Sequence, residues 1–400
     1  LPVLPLLRLN PPTDAARNGS AVLLSTLARL LASGAAASKA DLVIATGLAR
    51  TTVSNAVDQL LAGHLLELDA NPPPPVGRGR PAERLRLSPG GGHVLVADLG
   101  AHGAHLAVVD LGQRLLAHTH VDCEIADGPD PVLDVVEASL RKLRARLPGP
   151  ARAMVIGVPG PVDTRQGMPV RPPIMPGWHA YPVSGRLRRE FECPVMLEND
   201  VNLRALGEAR SLPADQAPLL FVKVGTGIGG GLITRAGELH HGADGSAGDI
   251  GHIRVRGGPD IRCVCGNVGC IEAVASASAI AGRLPAQPAT IADVRALAAH
   301  GDPVAVRLVR EAAELIGEVV ATLVHFYNPA RVTIGGSLTA ASDELLAGIR
   351  AVVYERALPL ATRNLVLTTS TLGEYAGLAG ATVLGIERAL SPSRIKRTLT

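Results

Sequence analysis

The residues best suited to chemistry lie in one short run. Gly251-His252 is followed, eleven positions after the histidine, by Cys263-Val-Cys265-Gly-Asn-Val-Gly-Cys270-Ile-Glu272. His252, Cys263, Cys265 and Cys270 supply one imidazole and three thiolates, the closed tetrahedral set that zinc takes in structural sites, with no position left open for an activated water. Gly266 and Gly269 let the chain wrap closely around an ion. The expected cofactor is a structural Zn2+, and such close spacing argues against three incidental thiols. Cys123 and Cys193 stand apart and are expected in the core.

A second set is basic and short-chained. Arg50, Thr51, Thr52, Ser54 and Asn55 open a helical stretch and are donors suited to phosphates and base edges. Gly77-Arg78-Gly79-Arg80-Pro81 offers two guanidinium groups, Arg78 and Arg80, on a ribbon poor in side chains, which suits a narrow minor groove. Helical spacing predicts the supporting elements. A first helix runs from Ala21 to the stop at Ser33-Gly34, a second from the cap Ser38 to Thr46 before Gly47, and a third from near Thr51 to Gly63. Residues 65–68 and 85–87 read as a two-stranded ribbon. The helices alone fit an ordinary helical hairpin or a DNA-reading pair. The arginine-bearing ribbon directly after them favours a winged helix-turn-helix on double-stranded DNA.

Composition bounds the rest of the chain. In 400 residues, 47% hydrophobic and 19% charged content excludes a disordered chain, and 44 Gly with 31 Pro but no period excludes a collagen-like one. No run approaches the roughly 18 to 20 apolar residues of a spanning helix, so a cytoplasmic protein without a membrane partner is expected. Residues 1–92 carry nine Lys or Arg against six Asp or Glu; this is the whole excess behind the net charge of +3. A polyanion should therefore bind there. Residues 1–19 lack periodicity and read as a flexible lead-in to a DNA-binding domain over 20–90.

Beyond Gly90-Gly91-Gly92, strand-like and helical stretches alternate. Segments 93–100 and 219–230 echo each other, and each precedes a second strand with a glycine turn, at 106–112 and 232–237. The echo predicts two α/β lobes around a cleft, over 91–198 and 199–372, the first joined by a C-terminal helix at 373–390, with a tail at 391–400. Further long helices are expected at 131–147 and 302–327.

Gly-His followed by Cys-X-Cys-Gly-X-X-Gly-Cys-X-Glu over 251–272, with Gly79-Arg80-Pro81-Ala82, resembles the ROK family of bacterial repressors and sugar kinases; the likeness runs from about residue 21 to 390. It implies a winged helix-turn-helix followed by an actin-like, ribonuclease-H-like α/β fold of two lobes with a sugar in the cleft. Glu198-Asn199-Asp200-Val201-Asn202 resembles the family's sugar loop. Asp200 matches the kinase base, although a carboxylate there could equally orient a hydroxyl, and Asp200 or Asn202 could cap the helix that follows. The resemblance implies sugar contacts from Gly160, Asn199, Asp200, Asp249, His252 and Glu272, with Pro161 and Pro176-Gly177-Trp178 in the wall. Asp249 stands where the family usually has Glu, one methylene longer.

Asp98, Gly100, Gly225, Thr226, Gly227, Gly335 and Gly336 resemble the family's nucleotide loops. Here the first loop departs from the pattern. Kinases carry Asp-X-Gly-Gly-Thr, and this chain has Asp98-Leu-Gly100-Ala101-His102, which loses the phosphate-binding hydroxyl and should crowd the turn with a Cβ and an imidazole. ATP and Mg2+ are therefore not expected, nor efficient phosphoryl transfer. The expected protein is a sugar-responsive repressor of carbohydrate genes, bound to operator DNA as a homodimer or dimer of dimers, with a sugar or phosphosugar effector. The alternative is a hexose kinase with an appended head, in which Asp200 is catalytic.

Overall fold

The computed structural model describes residues 3–12, 19–69, 83–339 and 343–399. The head holds α1 (Ser20–Ala32), α2 (Lys39–Thr46) and α3 (Arg50–Ala62). Local chemistry sets α2. Ser38 accepts the Asp41 N–H, the Asp41 carboxylate accepts the Ala37 N–H, and Gly47 ends the helix at φ +68°. Leu27, Leu42, Val53, Val57 and Leu60 form the buried stripe. It is closed by β1 (Leu66–Leu68) paired antiparallel with β2 (Leu85–Leu87). The ribbon tip with Arg78 and Arg80 lies outside the described residues.

The first lobe is built on β3 (His93–Leu99), β4 (Gly103–Asp110), β5 (Leu115–Asp122), β6 (Ala151–Val158) and β9 (Val195–Asn199). Its sheet order is β5-β4-β3-β6-β9, antiparallel across the hairpins and parallel beyond β3. Helices α4 (Pro129–Arg144) and α5 (Val183–Phe191) accompany the sheet, and β7 (Val162–Asp163) pairs with β8 (Met168–Pro169).

The second lobe begins with α6 (Asp200–Ser211), β10 (Leu219–Val224) and β11 (Ile228–Ile233), followed by α7 (Ile271–Ala275), α8 (Ala277–Ala281), α9 (Ile291–Ala299) and α10 (Pro303–Tyr327). It ends with β12 (Arg331–Gly335), α11 (Asp343–Arg356), α12 (Pro359–Thr362) and β13 (Val366–Thr369). The order β11-β10-β12-β13 repeats the first lobe's pattern of an antiparallel hairpin extended by parallel strands. Helix α13 (Ala376–Ala389) lies on β3 and β6, α6 lies on β10 and β11, and the two helices pack together, so the lobes meet through this pair. No described helix is long and apolar enough to cross a membrane.

Three expectations change. Strand β11 starts at Ile228 and not near residue 232, so Gly229, Gly230 and Gly231 belong to the strand and the loop is only Gly225 to Gly227. A Cβ at Gly231 would lie 2.6 Å from that of Ala205, so glycine here is what lets α6 rest on the sheet. The lead-in is not loose over 3–12: Leu7 is 1% exposed, both its backbone groups bond the Gln113 side chain, and Arg8 donates to the Ala209 and Leu212 carbonyls. An extended strap has no period of its own to read, because its partners are distant in sequence. The tail forms α14 (Pro392–Leu399), which packs on α1 with Ile395 buried and Leu399 against Gly63.

Candidate ligand cleft and metal centre

Strand β9 delivers the chain to the cleft, and α6 starts there. Asn199 Oδ1 accepts the N–H groups of Val201 and Asn202, so Asn199 is the cap rather than Asp200 or Asn202. That arrangement leaves the Asp200 carboxylate for other work. Asn199 Nδ2 donates to the Gly160 carbonyl at 3.0 Å, and Glu198 accepts from the Asn199 N–H and Asn202 Nδ2. Glu198 Oε2 also sits 2.7 Å from His241 Nε2, and this hydrogen bond raises the imidazole above its ordinary pKa.

All six residues expected around a sugar, Gly160, Asn199, Asp200, Asp249, His252 and Glu272, line one cleft, together with Pro161, Thr226, Gly227 and the segment 245–248. Pro176-Gly177-Trp178 does not join them. Trp178 is fully buried and its indole N–H donates to the Ile125 carbonyl, so it serves the first lobe's core, and Pro173 and Ile174 form the wall instead. Indole has too much apolar area to leave beside water when a core position with a carbonyl partner is available.

The nucleotide-type residues divide. Thr226 and Gly227 face the cleft, whereas Asp98, Gly100, Gly225, Gly335 and Gly336 are not among its lining. Asp98 is sealed: its side chain is wholly buried, and Arg204 Nη2 lies 3.1 Å from Oδ2. Burial pushes this carboxyl up to about 6 against the pull of Arg204, and Oδ1 has no partner among the described residues. Gly377 at the start of α13 completes the seal, since a Cβ there would come within 2.1 Å of Asp98 Oδ2. His102 corrects the expected crowding. Its ring turns outward, exposed, with Nδ1 2.7 Å from Glu124 Oε2, and only the Ala101 methyl lies at the cleft. A carboxylate partner and water outside outweigh a buried turn for a polar ring.

Two cations that pair with these carboxylates escaped sequence reasoning. Lys223 Nζ lies 2.5 Å from Asp200 Oδ2, and Arg204 holds Asp98. Arg204 sits one helical turn after Asp200 on α6, a spacing that the sequence displays; Lys223 is brought in by β10 and carries no sequence signal.

The Cys and His ligand atoms converge within 4.8 Å of one another. His252 Nδ1 to Cys263 Sγ is 3.6 Å and Cys265 Sγ to Cys270 Sγ is 3.7 Å. A tetrahedral zinc with ordinary bonds has S···N edges of ~3.6 Å and S···S edges of ~3.8 Å, so the donor set fits a metal ion in both type and spacing. Burial pushes the Cys270 thiol up to about 12, while the Asn267 backbone N–H lowers Cys265; a cation would displace the protons. His252 belongs to both cluster and cleft, and Glu272, two residues past Cys270, accepts the Ile228 N–H at 3.1 Å.

On the head, Arg50, Thr51, Thr52 and Asn55 are exposed at the start of α3. Ser54 is half-buried and accepts from Lys39 Nζ, which also pairs with Asp58.

Residues 94–388 match the ROK family. The glucokinase of Halalkalibacterium halodurans is 33% identical over 244 residues, covering 56% of this chain and 73% of that one. The xylose repressor of Caldicellulosiruptor bescii is 27% identical over 369 residues, covering 86% of this chain and 90% of that one. Among solved structures, a ROK family transcriptional regulator described as a homolog of the E. coli MLC protein superposes with a TM-score of 0.76 at 25% identity, covering 95% of this chain and 98% of its own.

Proposed function

The chain belongs to the ROK family, and we propose that it is a sugar-responsive, DNA-binding transcriptional repressor of carbohydrate genes. The observation that carries this reading is the reach of the similarity. The repressor and the regulator are matched over 86% and 95% of this chain, so the match extends into the head, whereas the glucokinase is matched over 56%.

In this reading α2, the Gly47 turn, α3 and the β1–β2 ribbon form a winged helix-turn-helix. Arg50, Thr51, Thr52 and Asn55 enter the major groove, Ser54 steadies Lys39 beside it, and Arg78 and Arg80 reach the minor groove. Two heads of a homodimer span the operator half-sites. In the cleft a sugar bonds Asn199, Asp200, Asp249, His252 and Glu272 over the backbone of Gly160. His252, Cys263, Cys265 and Cys270 hold a structural Zn2+, whose role is to fix the segment that presents His252 and Glu272 to the sugar.

The route from cleft to head is continuous. Helix α6 begins at the sugar loop and ends near Arg210, which donates to the Gly237 and Arg8 carbonyls and to Glu387. Arg29 of α1 donates to the Asn10 and Glu387 carbonyls. A sugar that binds one lobe arrangement better than the other would thereby shift the head. Phosphoryl transfer is not part of this reading, because Asp98 is already sealed with its own cation.

Fluorescence anisotropy of the full chain on the duplex upstream of its own gene tests the proposal. The expected result is tight, salt-sensitive binding released by one sugar of a panel. No binding to that duplex or to any fragment selected from the genome overturns it. A hexose kinase is the second reading, favoured by Thr226 and Gly227 beside Asp200. ADP release that depends on a sugar and vanishes in Asp200→Asn would establish it.

A further inference from the structure

Asp200 opens α6 with its side chain 2% exposed, and Lys223 comes from β10, on which α6 lies, with its side chain 19% exposed. Both line the cleft. Their contact uses one ammonium N–H and Asp200 Oδ2. The remaining N–H groups of Lys223 have no hydrogen-bond partner among the described residues, and Asp200 Oδ1 accepts from none of them. A donor and an acceptor thus stand side by side at the cleft, each with capacity to spare.

We infer that Lys223 is a specificity-determining residue: paired with Asp200, it reads one neutral hydroxyl of the ligand and rejects an anionic group at the same place. This rests on the sugar-binding reading of the cleft. A hydroxyl both donates and accepts, so it satisfies Asp200 Oδ1 and a Lys223 N–H together, whereas a phosphate or carboxylate can only accept. The surrounding charge points the same way. Among the described lining residues, Asp200, Asp249 and Glu272 are acidic and Lys223 is the sole Lys or Arg. Deeper in, Arg204 is committed to Asp98 and to the Glu374 carbonyl. Lys223 therefore offsets one of three carboxylates, and a phosphate placed here would meet a net negative wall with its own hydration lost. The pair also gives Asp200 a fixed partner, so that its free oxygen is held in one position for the hydroxyl.

The test is calorimetric titration of the full chain with D-glucose, D-xylose, D-galactose and N-acetylglucosamine, then with the monodeoxy analogues and phosphate esters of whichever sugar binds. Wild type should lose roughly 100-fold in affinity when the hydroxyl facing the pair is removed, and at least as much when it is esterified with phosphate. In Lys223→Met that preference should collapse to about tenfold or less, and Lys223→Arg should restore part of it. Because Lys223→Met leaves a buried carboxylate without its partner, the double variant Asp200→Asn, Lys223→Met serves as a neutral, foldable counterpart, checked by its melting curve, and should show the same collapse. If wild type binds a sugar but every monodeoxy preference survives in the Lys223 variants, or if a phosphate ester binds more tightly than its parent, the role of Lys223 is wrong while the cleft remains a sugar site. If wild type binds none of the sugars or esters, the sugar-binding reading falls, and this inference falls with it.

Discussion

The two lobes share one strand pattern and treat their carboxylates in opposite ways. In the first, Asp98 at the end of β3 is shut in by Arg204 and by the close approach of α13 at Gly377, and it is not among the described residues that line the cleft. In the second, Asp200 has an equally direct cation in Lys223 and is almost as buried, yet both members of that pair line the cleft where a ligand can meet them. The second lobe also carries a Cys and His cluster that the first lacks among the described residues. One carboxylate is closed off with internal charge, and the other is left at the cleft. A buried ion pair is weak evidence for stability, but one facing a cleft can serve recognition.

The contrast breaks most visibly at the Cys and His cluster and the Zn2+ proposed for it. Cys265→Ser, or a strong chelator, should strip the ion and lower the melting midpoint by ~10 °C. Cys193→Ser, in the first lobe's core, should leave metal content unchanged. Elemental analysis alongside calorimetry decides this, and an intact metal complement in Cys265→Ser would remove that residue from the ligand set.

A smaller effect concerns the sealed pair. Because the folded Asp98 carboxyl is raised to about 6 from 3.8, the folded state holds its proton more tightly than the unfolded chain does. The contribution of Asp98 to stability should then fall as pH rises from about 4 to about 6 and level off above. Relative to wild type, Asp98→Asn should gain at most roughly 3 kcal/mol over that interval. Denaturant melts at both ends of the interval read the difference; parallel pH profiles would show that Asp98 is not sealed.

The smallest expected change in stability sharpens the open side. Asn199→Ala removes the α6 cap at a cost of about 1 kcal/mol, and it also removes the contact to Gly160. Sugar affinity should drop more than tenfold while the melting curve barely moves. Equal small losses in both would make Asn199 a cap and nothing more.

Much of this was legible in the residues. Helix α2 was bounded by Ser38, Asp41 and Gly47, whose side-chain and backbone preferences act over a few positions. The convergence of His252, Cys263, Cys265 and Cys270 was legible because three of the four sit in one tight loop, so that spacing approximates distance. The six cleft residues were found through resemblance and not through any local rule. What escaped depends on remote partners: the strap at Leu7 needs Gln113, α14 needs α1, and the outward turn of His102 needs Glu124. Trp178 was misplaced for the same reason, since its hydrogen bond runs to Ile125.

By itself, then, the sequence determined most element types, the repeated strand pattern and the Cys and His cluster, because periodicity, capping and close spacing are properties of neighbouring residues, and its motifs carried the resemblance to the family to which the chain belongs. Only the tertiary structure decided which carboxylate is sealed and which is open. Asp98, Asp200, Arg204 and Lys223 are all plain in the sequence, but their pairing follows from how β3, α6 and β10 cross, and burial, which sets the energy of each charge, exists only after those elements have packed.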